Sequence, residues 1–135
     1  MPTVDEISYA KILNKLGDEF IRISNSIPDL PQGTNDKDTL KSAQIEFERC
    51  IKEYNALKNT MSKVPMGSIY HLINEHRDLV GAIDGFVTST QKMYNSISID
   101  SSSINYYLLE EGKREQNESV RKIEVITNKI ATKIL

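Results

Sequence analysis

Apolar side chains return along this chain at alternating steps of three and four, a rhythm that outlines four long helices. In the first, Tyr9, Leu13, Leu16, Phe20, Ile23 and Ile27 form one seam over residues 3–27. Thr3 and Glu6 open it at capping-box spacing, so that each side chain serves the other's free backbone N–H. Pro28 and Pro31 stop it, inside the one linker dense in turn formers, which runs to Asp36. The second helix, about 38–63, starts from Asp36 or Asp38 as cap. It carries Leu40, Ala43, Phe47, Cys50, Tyr54, Leu57, Met61 and Val64, a spacing that no period-two strand sustains.

Val64-Pro65-Met66-Gly67 turns the chain back into a third helix, about 68–98, with Ser68 as its cap. Its seam is Ile69, Leu72, His76, Leu79, Ile83, Phe86, Thr90, Met93 and Ile97. Beside it runs a second row, Ile73, Val80, Val87 and Tyr94, so this helix is expected to touch two neighbours and to be the most buried. The serines after Asp100 offer caps for a fourth helix, about 102–134. Its seam reads Tyr106, Leu109, Lys113, Gln116, Val120, Ile123, Thr127, Ile130 and Ile134. Glu110 to Ser119 holds nothing apolar apart from Gly112. There the helix is expected to kink or fray, or to turn toward water or another chain.

Segments of about 24 to 33 residues make rods of roughly 35 to 50 Å. Joined by short connections, they predict an all-α fold: an up-down-up-down antiparallel four-helix bundle with coiled-coil-like packing. The rival arrangement has two long hairpins that find their cores in a second chain.

Composition narrows the setting. A length of 135 residues is one domain, and 39% hydrophobic with 27% charged residues is ordinary for a soluble globular protein. The six glycines and four prolines are few, which leaves the long segments uninterrupted. Seventeen Lys and Arg against nineteen Asp and Glu give a net charge of −2, which predicts no general affinity for nucleic acid or acidic membranes. The single cysteine closes no internal disulfide, the N-terminus is acidic where a signal peptide is basic, and no apolar run is long enough to span a bilayer. A cytoplasmic location follows as the expectation, without membrane insertion.

Candidate chemistry is thin. Cys50 stands in a seam between Phe47 and Tyr54 and reads as a small core residue. His71 and His76 are five apart, off a common helix face, and no Glu-x-x-His motif occurs, so neither a zinc nor a di-iron site is expected. Gly81 and Gly85 have the spacing of a close helix contact and lie in no phosphate-binding turn. If the last two helices fold back about residue 100, Glu110–Ser119 faces residues 81–90. Asp84 is then expected to pair with Lys113 or Gln116 in a polar layer or a wet cleft. The bend between them gathers Tyr94, Ile99, Tyr106 and Tyr107, the aromatic and apolar kind of surface that interfaces favour. The competing reading has the linker around Leu30 and Pro31 folding over that tip. The last helix also carries Lys113, Arg114, Arg121, Lys122, Lys129 and Lys133 against three glutamates from Lys113 onward, which reads as a solvated face.

With no nucleophile beside a base, no metal set, no cofactor cradle and no paired catalytic carboxylates, the expectation is a non-enzymatic protein–protein interaction module. Its expected contacts are Tyr94, Ile99, Tyr106 and Tyr107 at the tip with Lys113 and Gln116 in the fourth helix. The expected partner is a protein, a second copy in a homodimer included. The alternative is a bundle that binds a small molecule or metal in a polar cavity near His76, Asp84, Lys113 and Gln116.

Overall fold

The computed structural model describes residues 1–134. Four helices carry the chain: α1 (Val4–Asn25), α2 (Lys37–Ser62), α3 (Ile73–Asn95) and α4 (Tyr106–Ile134). They pack against one another as an all-α bundle. Each runs antiparallel to the one before it. Ser26, just past α1, lies 3.5 Å from Cys50 of α2, whereas Leu16 lines one hollow with Leu57 and Met61. His76 early in α3 meets the Met61 carbonyl late in α2 at 2.8 Å, whereas Gln44 early in α2 reaches the Ile97 carbonyl beyond the end of α3. Lys92 at the end of α3 pairs with Glu111 and Glu115 early in α4, whereas Glu75 at its start pairs with Lys133 near the end of α4. Among the described residues, no helix is long and apolar enough to cross a membrane.

The helix starts show which cap prevails. The Thr3 hydroxyl accepts from the Glu6 N–H at 3.1 Å, and the Glu6 carboxylate accepts from the Thr3 N–H at 2.9 Å. Asp36, not Asp38, caps α2, accepting from both the N–H and the hydroxyl of Thr39. The third helix departs from the 68–98 expectation at both ends. Ser68 caps nothing; a 3-10 segment, Gly67–Leu72, precedes α3, and Ile69 (φ −129°, ψ 40°) breaks the helical path inside it. Met66, Ile69 and Leu72 are all buried in the end of the core.

At the other end α3 stops at Asn95. Ile97–Ser98 (β1) pairs antiparallel with Ser103–Ile104 (β2), Ile97 opposite Ile104, and the turn passes through Ser102 at φ 48°. The serines expected to cap α4 are spent in this turn. Asn105 caps it instead, its Oδ1 accepting from the Leu108 N–H at 3.1 Å.

Burial follows the predicted seams of the first three helices closely. In α2, six of the eight seam residues are buried, and every residue of the α3 seam from Ile69 to Ile97 is buried. Phe20, Tyr54 and Phe86, one from each of α1 to α3, form a ring triangle with centroids 4.8 to 5.9 Å apart. This geometry adds edge-and-face attraction to the area that each ring removes from water. A second cluster fills the tip: Leu30, Leu40, Ala43, Phe47, Met93, Ile97 and Leu109.

The fourth helix departs from expectation in phase. Its buried residues are Leu109, Gly112, Ser119, Ile126 and Ile130, whereas Val120 is exposed and Lys113 pairs with Glu110 at the surface. Nor does the polar middle break the helix, which is continuous from Tyr106 to Ile134. It is where α4 approaches α3 most closely. A Cβ at Gly112 would stand 2.8 Å from the Ser89 carbonyl oxygen and 2.7 Å from Met93, and one at Gly85 would collide with the Ser119 side chain. Two glycine–serine contacts therefore set the spacing of the pair, and small size takes the inward positions that hydrophobicity marks elsewhere.

Candidate functional site

The residues singled out from the sequence are dispersed by the fold. His76 is buried, with both ring nitrogens engaged. Its Nε2 lies 2.8 Å from the Met61 carbonyl oxygen, an acceptor only, so Nε2 carries the proton. Nδ1 therefore accepts from the Tyr9 hydroxyl at 2.7 Å. Burial holds the His76 pKa below its ordinary value of 6.5, and burial, with the Glu75 charge nearby, pushes Tyr9 up to about 12. The pair is a satisfied core contact that joins α1, α3 and the end of α2.

Asp84 does not pair with Lys113 or Gln116. It is exposed and bridges to Lys58 of α2, because its position on α3 points away from α4. Gln116 instead donates to the Thr90 hydroxyl at 3.1 Å, and Thr90 in turn donates to the Phe86 carbonyl at 2.6 Å. His76, Asp84, Lys113 and Gln116 thus turn to four different partners rather than to one another. Among the described residues, no three His, Cys, Asp or Glu side chains are grouped as metal ligands would be. Cys50 is fully buried, and burial raises its thiol pKa, which keeps it un-ionised. His71, at the surface, faces Glu6 at 3.2 Å.

The tip is covered by the linker. Leu30 is buried in the second core, and the Tyr106 hydroxyl donates to the Pro31 carbonyl at 2.9 Å while accepting from the N–H groups of Gly33 and Thr34. Tyr94 and Ile99 are half-buried against the same cluster. Of the tip residues named as contacts, Tyr107 alone stands out, at 79% exposure, beside a shallow hollow shared with Glu110, Glu111 and Arg114.

A further concavity lies elsewhere, along the outer side of the α3–α4 pair. It is a groove of about 560 Å³ with Gly81, Ala82, Gly85, Val125 and Ile126 along its floor and walls. Arg77, Arg121 and Lys122 line it with Asp78, and none of the three cations forms an ion pair with a described residue. Gly81 keeps the groove open: a Cβ there meets nothing within 4 Å. Val125, 53% exposed, also lines a neighbouring hollow with Glu75, Lys129 and Lys133, so the depression continues along α4. Lys92, held by Glu111 and Glu115, spans the same helix pair closer to the tip.

Neither Arg77 nor Val125 was marked as a contact from the sequence, whereas Gly81 was, with Gly85, as the place of a close helix contact. Two signals pointed there. A glycine sits in mid-helix without a turn to make, and Val125 falls outside the apolar seam of its helix. Ser119, at the edge of the polar stretch, and Gly81, Ala82 and Gly85, in the stretch expected to face it, all line the groove. No protein-family model matches the chain, and comparison with curated proteins and with solved structures finds no match either.

Proposed function

We propose that this chain is a non-enzymatic, cytoplasmic protein–protein interaction module that receives its partner on the outer surface of the α3–α4 pair. The observation that carries the reading is the groove itself: an apolar floor held open by Gly81, with side chains of Arg77, Arg121 and Lys122 that no described anion neutralises. Apolar surface set among charged residues is the usual composition of a docking site. The buried chemistry of the chain points the same way. His76, Tyr9 and Cys50 are taken up by core contacts, and none of the three lines the groove.

Tyr107 is a second contact on the same helix, about three to five turns from the groove by sequence, and it suits an aromatic anchor at the rim of the interface. Affinity capture from the native cell tests the reading. The wild-type chain should retain a partner that a groove-filling Gly81→Phe variant loses and that Tyr107→Ala holds less well. Identical captured proteins for wild type and both variants, with both variants folded by circular dichroism, would sink it.

A further inference from the structure

We infer that the occupant of the α3–α4 groove is an acidic amphipathic helix of another protein, laid along the groove with its apolar stripe on Gly81, Ala82 and Val125. The inference rests on the interaction reading above and gives the partner its chemistry. Between Arg77 and Gly85 the groove runs about 12 Å along α3 at 1.5 Å per residue, and the hollow beyond Val125 lengthens it toward the end of α4. That length fits two to three turns of helix, with apolar anchors at i, i+3 or i+4, and i+7.

The opening comes from Gly81, where an added Cβ would meet only open space; Gly85 serves the close α3–α4 contact instead, its missing side chain admitting Ser119. The charge comes from both walls. Arg77 stands on the α3 side and Arg121 and Lys122 on the α4 side; the acids are Asp78 and, in the hollow beyond Val125, Glu75, which Lys133 already pairs and Lys129 accompanies. A helix with Asp and Glu flanking its apolar stripe meets cations on both sides, whereas a basic helix meets repulsion on both. Charge complementarity also argues against a second copy as the occupant. The outward faces of α1 and α2 carry mixed charge, their Glu19, Glu46 and Glu53 already engaged by Arg22 and Arg49.

The test uses the full chain and three designed helical peptides of about 20 residues. They share one Leu stripe and differ only in the residues beside it: Glu, Gln or Lys. By fluorescence anisotropy the Glu peptide should bind, and the Arg121→Glu/Lys122→Glu variant should weaken it about tenfold or more while improving the Lys peptide. Gly81→Phe should abolish binding of the Glu peptide, and Tyr107→Ala should leave it within about twofold. If Gly81→Phe proves unfolded by circular dichroism, the charge-reversal pair decides alone.

Preference for the Lys or Gln peptide, still blocked by Gly81→Phe, would overturn the acidic partner and leave the interaction reading standing. Binding of an oligonucleotide in place of the Glu peptide, or a dimer in light scattering that Gly81→Phe dissociates, would also overturn it. Failure of every peptide, together with native-cell captures that no groove or tip variant alters, would overturn both.

Discussion

His76 shows how much one buried side chain decides. With its Nε2 proton given to the Met61 carbonyl and Nδ1 accepting from Tyr9, the ring has no room for a second proton without reversing a hydrogen bond. Its pKa in the folded chain lies below 6.5, so the unfolded chain binds the proton first as pH falls. The stabilising contribution is complete above pH 6.5 and is lost progressively as pH drops through the folded value. Urea midpoints should therefore fall between about pH 7.5 and pH 5 for the wild type, and fall less steeply for His76→Gln. Tyr9→Phe leaves Nδ1 without its donor and should cost about 1 to 3 kcal/mol in the same measurement at neutral pH. Tyr106 and Tyr107 make the opposite lesson in adjacent positions. Tyr106→Phe unlatches Pro31, Gly33 and Thr34, so proteolysis within residues 28–36 should quicken, whereas Tyr107→Ala should change stability by no more than about 0.5 kcal/mol.

At the scale of the element, the contact of α3 with α4 is governed by glycine placement. Three glycines in these two helices have three different surroundings, and substitution by alanine separates them. Gly81→Ala meets open space and removes a helix-weakening residue, so it should raise stability by up to about 1 kcal/mol. Gly112→Ala drives a methyl against the Ser89 carbonyl and Met93, and should destabilise by about 1 to 3 kcal/mol as the helices are pushed apart. Gly85→Ala falls between them, because the clashing Ser119 hydroxyl can rotate away although its Cβ, 3.3 Å off, cannot. Thermal melts of the three variants give the order directly; equal effects at Gly81 and Gly112 would contradict the helix spacing described. The same close approach explains why the polar stretch of α4 stays helical. Lys92 with Glu111 and Glu115, and Gln116 with Thr90, give its polar groups partners along the contact.

For the molecule as a whole, two apolar clusters share continuous helices. The ring triangle of Phe20, Tyr54 and Phe86 sits in one and Phe47 with Met93 and Leu109 in the other, joined through α2 and α3. Neither can open without breaking a helix that the other needs. Phe47→Ala and Phe86→Ala should each cost about 3 to 5 kcal/mol and still give one cooperative transition by circular dichroism and by calorimetry. Two resolved transitions in Phe47→Ala would mean that the tip folds independently. Charge is also organised at this scale: a net charge of −2 conceals an α4 face where Arg121, Lys122 and Lys129 outnumber the acids beside them. The whole-chain balance says little about what that face attracts.

The helical rhythm, the Thr3–Glu6 cap, the stop at Pro28 and Pro31 and the seams of the first three helices are local properties, set by residues a few positions apart. They were legible in the sequence because apolar side chains marked the seam positions of these helices, His76 and Thr90 excepted. The phase of α4 was not, because its inward positions are Gly112 and Ser119, chosen for smallness against a facing backbone that the sequence does not display. Register decided the rest. The pairing of Asp84 with Lys58, the latch of Tyr106 on the linker and the groove beside Gly81 each depend on which turn of one helix stands opposite which turn of another. Side-chain pattern fixes what each rod buries, and only the packed arrangement of rods fixes what is left open.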